Sequence, residues 1–183
     1  LTRDRFVERV QARIAEFGEN APKIAVLFFN IDDLHRINNS LGYDVGDAVI
    51  RHYGQTLHAI LPAGSIAGYF GGDEFMVALP ETSGYAEAID VTKGIRSTLG
   101  DFLLIGNRKI WFSASIGVAM PETWQITARD LVRDAQIAMQ KAKESGGASI
   151  VRFDANLQDD AERALDLEAD IRRALESDEI NIN

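Results

Sequence analysis

The sequence has no cysteine, so disulfides and thiolate metal sites are excluded and the chain suits a reducing compartment. The cytoplasm is the expected location. Long apolar runs are also missing: IAVLFF at residues 24–29 is among the longest and falls far short of the roughly 20 residues of a membrane-spanning helix. No signal-peptide pattern opens the chain, and no membrane contact is expected of these residues, whatever else a parent protein carries. A basic excess is lacking as well, with 19 Lys and Arg against 28 Asp and Glu and a formal charge of −9. That balance disfavours non-specific binding to nucleic acid or to an anionic membrane. A triphosphate ligand would need a metal ion and local cations. What is present is an ordinary globular composition, 46% hydrophobic and 26% charged over 183 residues, enough for one domain with a sizeable core plus an appendage.

Residues 6–17 place Phe6, Val10, Ile14 and Phe17 on one face of an amphipathic helix that Gly18 ends. The apolar run at 24–29 predicts a strand buried on both faces, the central one of a sheet. A helix over 32–41 aligns Leu34, Ile37 and Leu41, with Gly42 as its cap. A second, over 45–60, carries Val49, Tyr53, Leu57 and Ile60 and stops at Pro62. Residues 83–99 predict a helix with Ala88, Val91, Ile95 and Leu99 inward, and 109–120 alternate like a single strand. Thr127 followed by Asp130 resembles a capping box, opening a helix with Leu131, Ala135, Ala138 and Ala142 as its stripe and Gly146-Gly147 as its end. A short strand at 149–153 follows, and 157–175 read as a linker helix. The order predicts an α/β (α+β) fold with a mixed central sheet of about five strands and helices on both faces.

Between two β-like runs, 66–70 and 75–79, stands Gly71-Gly72-Asp73-Glu74, which the pattern makes a hairpin turn. Glycine accepts positive φ and close approach of a ligand, and adjacent carboxylates at a turn can hold a hard cation such as Mg²⁺. From these residues alone, a tight hairpin with solvated acids is the alternative.

FGGDEF at 70–75, preceded by NIDDLHRINNSLGYDVGD at 30–47, resembles the GGDEF domain family of diguanylate cyclases. Ser115-Ile116-Gly117-Val118 and Ala142-Lys143 match further pieces in the family's order, so the resemblance spans residues 1–154. Leu1-Thr2 then Arg5-Phe6 is similar to its opening motif with a few residues missing. The resemblance implies a fold similar to nucleotidyl cyclase catalytic domains and a homodimer in which each domain presents one GTP, with Mg²⁺ or Mn²⁺, for condensation to cyclic dimeric GMP. It implies Asp73 and Glu74 as catalytic and metal-binding acids, with Asn30 and Ile31 completing the metal site. Gly71 and Gly72 would give the phosphates room, and backbone amides around Asp33 and Leu34, with His35 beside them, would cradle them. Asn38 and Asp47 match the guanine-binding pair, and Lys143 a lysine that reaches the terminal phosphates.

The chain also departs from the family pattern. Asn30 replaces the aspartate that ends the first strand and binds both metals, and an amide oxygen ligates a cation without bringing charge. Asp32 or Asp33 is the candidate to compensate, though neither occupies the matching position. His35 replaces a phosphate-contacting lysine, Tyr69 an arginine before the glycines, and Gly147 an arginine after the late lysine. Gln136 and Gln140 replace an aspartate and a tyrosine of the late helix, and the product-inhibition arginine and aspartate expected at 62–65 are absent. The tail LDLEADIRRALESDEI at 165–180 resembles the segment leading into an EAL-type phosphodiesterase domain, making 155–183 a linker. The expectation is a GTP-binding regulatory module with impaired cyclase chemistry. An active diguanylate cyclase and a dimerisation scaffold that binds no nucleotide are the alternatives.

Overall fold

The computed structural model describes residues 1–17, 24–123, 125–157 and 163. The chain divides into two compact units, Leu1–Phe153 and Asp154–Asn183. In the second, residues 155–157 form a helical turn, and the helix expected over 157–175 otherwise lies outside the described residues apart from Arg163.

The first unit opens with helix α1 (Arg3–Phe17) and strand β1 (Ala25–Ile31), followed by helices α2 (Leu34–Leu41) and α3 (Tyr43–Ile60). Strands β2 (Ile66–Gly71) and β3 (Glu74–Leu79) form the hairpin, and helix α4 (Tyr85–Leu99) follows. Strands β4 (Phe102–Ile105), β5 (Arg108–Trp111) and β6 (Ala114–Ala119), helix α5 (Ala128–Glu144) and strand β7 (Ile150–Arg152) complete it. Five strands form one sheet in the order β2-β3-β1-β6-β7, antiparallel throughout except for the parallel β6–β7 pair. This is the mixed five-stranded sheet the sequence predicts, with β1 central and every residue of it buried.

Alternation along β1 divides the core in two. Leu27, Phe29 and Ile31 pack with Tyr53 and Leu57 of α3 and Ile95 of α4, whereas Val26 and Phe28 pack with Phe6 and Val10 of α1 and Leu131 and Ala135 of α5. Asn30, two residues after Phe28, therefore lies on the α1 and α5 face at the strand's end. Helix α5 comes close to the sheet because Gly117 in β6 has no side chain: a Cβ there would overlap the Ala135 carbonyl and the Met139 amide. The capping box at the start of α5 is present, Thr127 Oγ1 accepting from the Asp130 amide at 3.2 Å and Asp130 Oδ2 from the Thr127 amide at 3.4 Å.

The single strand expected over 109–120 is instead two. Gly106, at φ 60°, turns the chain so that β4 pairs with β5 in a separate two-stranded sheet. The chain then passes Phe112 and Ser113 before entering the main sheet as β6, with the Ser113 carbonyl accepting from the Asp32 amide at 2.9 Å.

Candidate nucleotide site

The signature hairpin closes through two glycines at positive φ, Gly71 at 102° and Gly72 at 58°, with open space where a Cβ would stand at each. Their use is conformational: most side chains avoid this region. The turn is tied to the central strand, the Ile31 amide donating to the Asp73 carbonyl at 3.0 Å. Tyr69 braces it from the other side, its hydroxyl donating to the Gly72 carbonyl at 3.2 Å and its ring 5.0 Å from that of Phe75. The residue that stands in place of an arginine thus supports the turn and brings no charge.

Asp73 and Glu74 are both half-buried, and Glu74 pairs in register with Asn30. Burial, and then the adjacent Asp73 charge, raise the Glu74 carboxyl above its ordinary range, while Arg3 and Lys143 pull it back. Both cations therefore act on this acid. Lys143 Nζ, in the last turn of α5, donates to Asn30 Oδ1 at 2.9 Å, and Asn30 itself is only 3% exposed. Arg3 stands with its guanidinium carbon 5.3 Å from the Phe70 ring centroid.

The two nearby acids are engaged elsewhere. Asp32 accepts from the Ser113 hydroxyl at 2.6 Å, the Ser115 hydroxyl at 2.7 Å and the Ala148 amide at 2.9 Å. Gly147, at φ 75°, lies against that carboxylate, a Cβ there falling 3.3 Å from Asp32 Oδ2. An arginine at 147 would be strained in this loop. Asp33, in the left-handed region at φ 54°, pairs with Arg36 at 3.3 Å on the surface.

The remaining candidate residues lie where α2 meets α3. Asn38 fills the space that Gly46 leaves, since a Cβ on Gly46 would overlap Asn38 Oδ1. That oxygen is buried and has no hydrogen-bond partner among the described residues. Asp47 follows Gly46 and is exposed. Leu34 points into the core at the start of α2, and His35 is exposed beside it.

The structure therefore brings Asn30, Ile31, Asp73, Glu74 and Lys143 together at the end of β1, and sets Asn38 and Asp47 at the α2–α3 junction. Sequence reasoning missed Arg3, which no motif marks. It also missed the room that Gly46 makes for Asn38, although a glycine between two candidate residues was a signal, and the occupation of Asp32 by Ser113 and Ser115.

The two hairpin carboxylates are the residues that would hold a divalent ion, and they suit one ion rather than two. Among the described residues no three His, Asp or Glu side chains form a cation-holding group. Asp73 and Glu74 are the carboxylates beside the end of β1, and Mg²⁺ is commonly held by one or two carboxylates plus phosphate and water. A second ion lacks a carboxylate at position 30.

Residues 1–149 match the family described as diguanylate cyclase, GGDEF domain. The chain belongs to the GGDEF domain family. It is 34% identical over 177 residues to the uncharacterized protein Rv1354c of Mycobacterium tuberculosis, covering 96% of this chain and 28% of that protein. It is 28% identical to the bifunctional diguanylate cyclase/cyclic di-GMP phosphodiesterase MucR of Pseudomonas aeruginosa, covering 92% of this chain and 24% of MucR. The chain thus spans about a quarter of the length of these curated relatives. Among solved structures, the GGDEF domain of TpbB from Pseudomonas aeruginosa superposes with a TM-score of 0.81 at 25% identity, covering 88% of this chain and 94% of that one. The GGDEF domain of DgcB from Caulobacter crescentus, solved with c-di-GMP, shares the fold at a TM-score of 0.75 and 21% identity, covering 82% and 87%. This GGDEF domain carries Gly71-Gly72-Asp73-Glu74-Phe75 on its hairpin and Asn30 near the end of its first strand. No described helix is long and apolar enough to cross a membrane.

Proposed function

We propose that this GGDEF domain binds GTP as a regulatory module while its cyclase chemistry is impaired. The observation that carries binding is the buried, unpartnered Asn38 Oδ1 held against Gly46. Leaving such an acceptor unpaired costs about 1–3 kcal/mol, which a turn of the half-buried amide that brings the oxygen out to a ligand N–H would recover. Guanine offers an N–H and an amino group on one edge, suited to an amide oxygen and a carboxylate such as Asp47, and adenine lacks that pattern.

Impaired turnover follows from the other end. Nucleotidyl transfer needs charge around the α-phosphate and the leaving pyrophosphate, where a single charged or donor contact is commonly worth about 3 kcal/mol. Asn30, His35, Tyr69 and Gly147 each bring less charge than the family pattern. One Mg²⁺ or Mn²⁺, held by Asp73, Glu74 and the Ile31 carbonyl, would neutralise phosphate charge. In this reading 1–154 is the GGDEF domain of a cytoplasmic protein and 155–183 leads to an EAL phosphodiesterase domain that GTP occupancy regulates. Pairing as a homodimer would bring two nucleotides together. The name of MucR, which carries both activities, supports such an arrangement.

Calorimetric titration with GTP and ATP in Mg²⁺ tests the proposal: saturable binding of GTP with ATP at least about tenfold weaker is expected. Equal affinity for the two would remove the guanine assignment, and no binding would leave a scaffold. The intact glycine-glycine-acid-acid hairpin favours a second reading, a weakly active cyclase, which product formation would separate from the first.

A further inference from the structure

We propose that Asn30 positions Lys143 and that the ammonium it holds stands in for one of two cations, so that the site takes a single divalent ion with each GTP. The inference rests on the GTP reading above.

Three observations carry it. Asn30 is buried at the end of β1, on the face that α5 covers, and its Oδ1 accepts from Lys143 Nζ at 2.9 Å. A metal ion ligated by that same oxygen would sit beside the ammonium, a like-charge contact that a neutral amide does nothing to offset. Second, α5 has little freedom to draw the lysine away, because its backbone rests on Gly117 where even a methyl group does not fit. Third, the nearest spare acid is not spare: the Asp32 carboxylate already accepts from Ser113, Ser115 and the Ala148 amide. An ammonium has three N–H donors and Asn30 takes one, leaving two for phosphate oxygens. Asn30 is thus a positioning residue, acting on phosphate through Lys143.

The test counts Mn²⁺ bound to the 183-residue chain with GTP, by electron paramagnetic resonance, alongside GTP affinity by calorimetry. One Mn²⁺ per chain is expected, with no spin coupling. Asn30→Asp should bind two, with a coupled signal. Lys143→Met and Asn30→Ala should each weaken GTP about tenfold or more, leave the Mn²⁺ count at one, and fail to add in the double variant, because both remove the same contact. Two Mn²⁺ in the unaltered chain, or additive losses in the double variant, would overturn the inference and leave GTP binding standing. Absence of GTP binding with any metal would overturn the site reading and the inference together. Should Asn30→Asp fail to fold, the Asn30→Ala and Lys143→Met pair still decides, since Lys143 is exposed and its replacement leaves the apolar core intact.

Discussion

The α2–α3 junction and the end of β1, which the proposed reading makes two ends of one nucleotide site, are held in place by different means. At the junction a missing side chain, Gly46, makes room for an amide, Asn38, and leaves its oxygen buried without a partner. At the end of β1 an amide, Asn30, is likewise buried, but its oxygen is already taken by Lys143. Recognition of a base edge depends on shape and a few hydrogen bonds, which packing between two helices fixes. Handling of phosphate depends on charge, and charge changes with single substitutions that leave the fold as it was. The first end is therefore kept and the second altered within the same hairpin-and-sheet frame.

The largest change should come from breaking the frame that holds the phosphate end. Gly117→Ala would drive a methyl group into the backbone of α5 at Ala135 and Met139. Overpacking typically costs about 1–3 kcal/mol, and we expect about 3 here because the neighbours are backbone atoms. Chemical denaturation measures this, and GTP binding should weaken with it as Lys143 moves.

Next come changes confined to the base end. Asp47→Ala should lower GTP affinity by about 2 kcal/mol, roughly thirtyfold, leave ATP unchanged and so erase the preference, with the melting curve unaltered. Unchanged discrimination would remove the guanine assignment. Gly46→Ala should do similar damage by displacing the Asn38 amide, and since that amide is the end of a flexible side chain the domain should still fold. At the phosphate end Asn30→Asp should raise Mn²⁺ affinity about tenfold, the value of one added charge–charge contact, without restoring full turnover while His35, Tyr69 and Gly147 remain. Robust activity in that variant would show that the lost cations matter little.

The smallest effect serves as the control for both ends. Thr127→Ala removes the capping contact with Asp130 and should cost about 1 kcal/mol of stability while leaving GTP and Mn²⁺ binding as they were. A binding defect in it would mean that the start of α5 is coupled to the site, contrary to the division drawn above.

Much of this was legible in the residues. Period and punctuation placed β1 at the centre, α3 with Val49, Tyr53 and Leu57 inward, and the capping box at Thr127. The β4–β5 hairpin was not read, because Phe102–Ile105 is a short apolar run whose partner becomes visible only once Gly106-Asn107 is recognised as its turn. Within the candidate site, the motif picked out Asp73 and Glu74 on the hairpin, Asn38 and Asp47 at the α2–α3 junction, and Lys143 at the end of α5. It could not reveal that Lys143 bonds Asn30, 113 residues away, because such contacts depend on how α5 crosses the sheet. Nor could it reveal that Asp32, a candidate replacement ligand by position, spends its oxygens on Ser113, Ser115 and Ala148. Arg3 reaches the neighbourhood of Glu74 only because α1 packs on the same face of the sheet as α5.

The most direct test of the central claim, that guanine recognition has outlived catalysis, is a chromatographic assay of the concentrated, folded chain incubated with excess GTP and Mg²⁺. Unconsumed GTP, with neither cyclic dimeric GMP nor a linear intermediate, is the predicted result. Accumulation of cyclic dimeric GMP would contradict it and make this domain a working cyclase that tolerates Asn30.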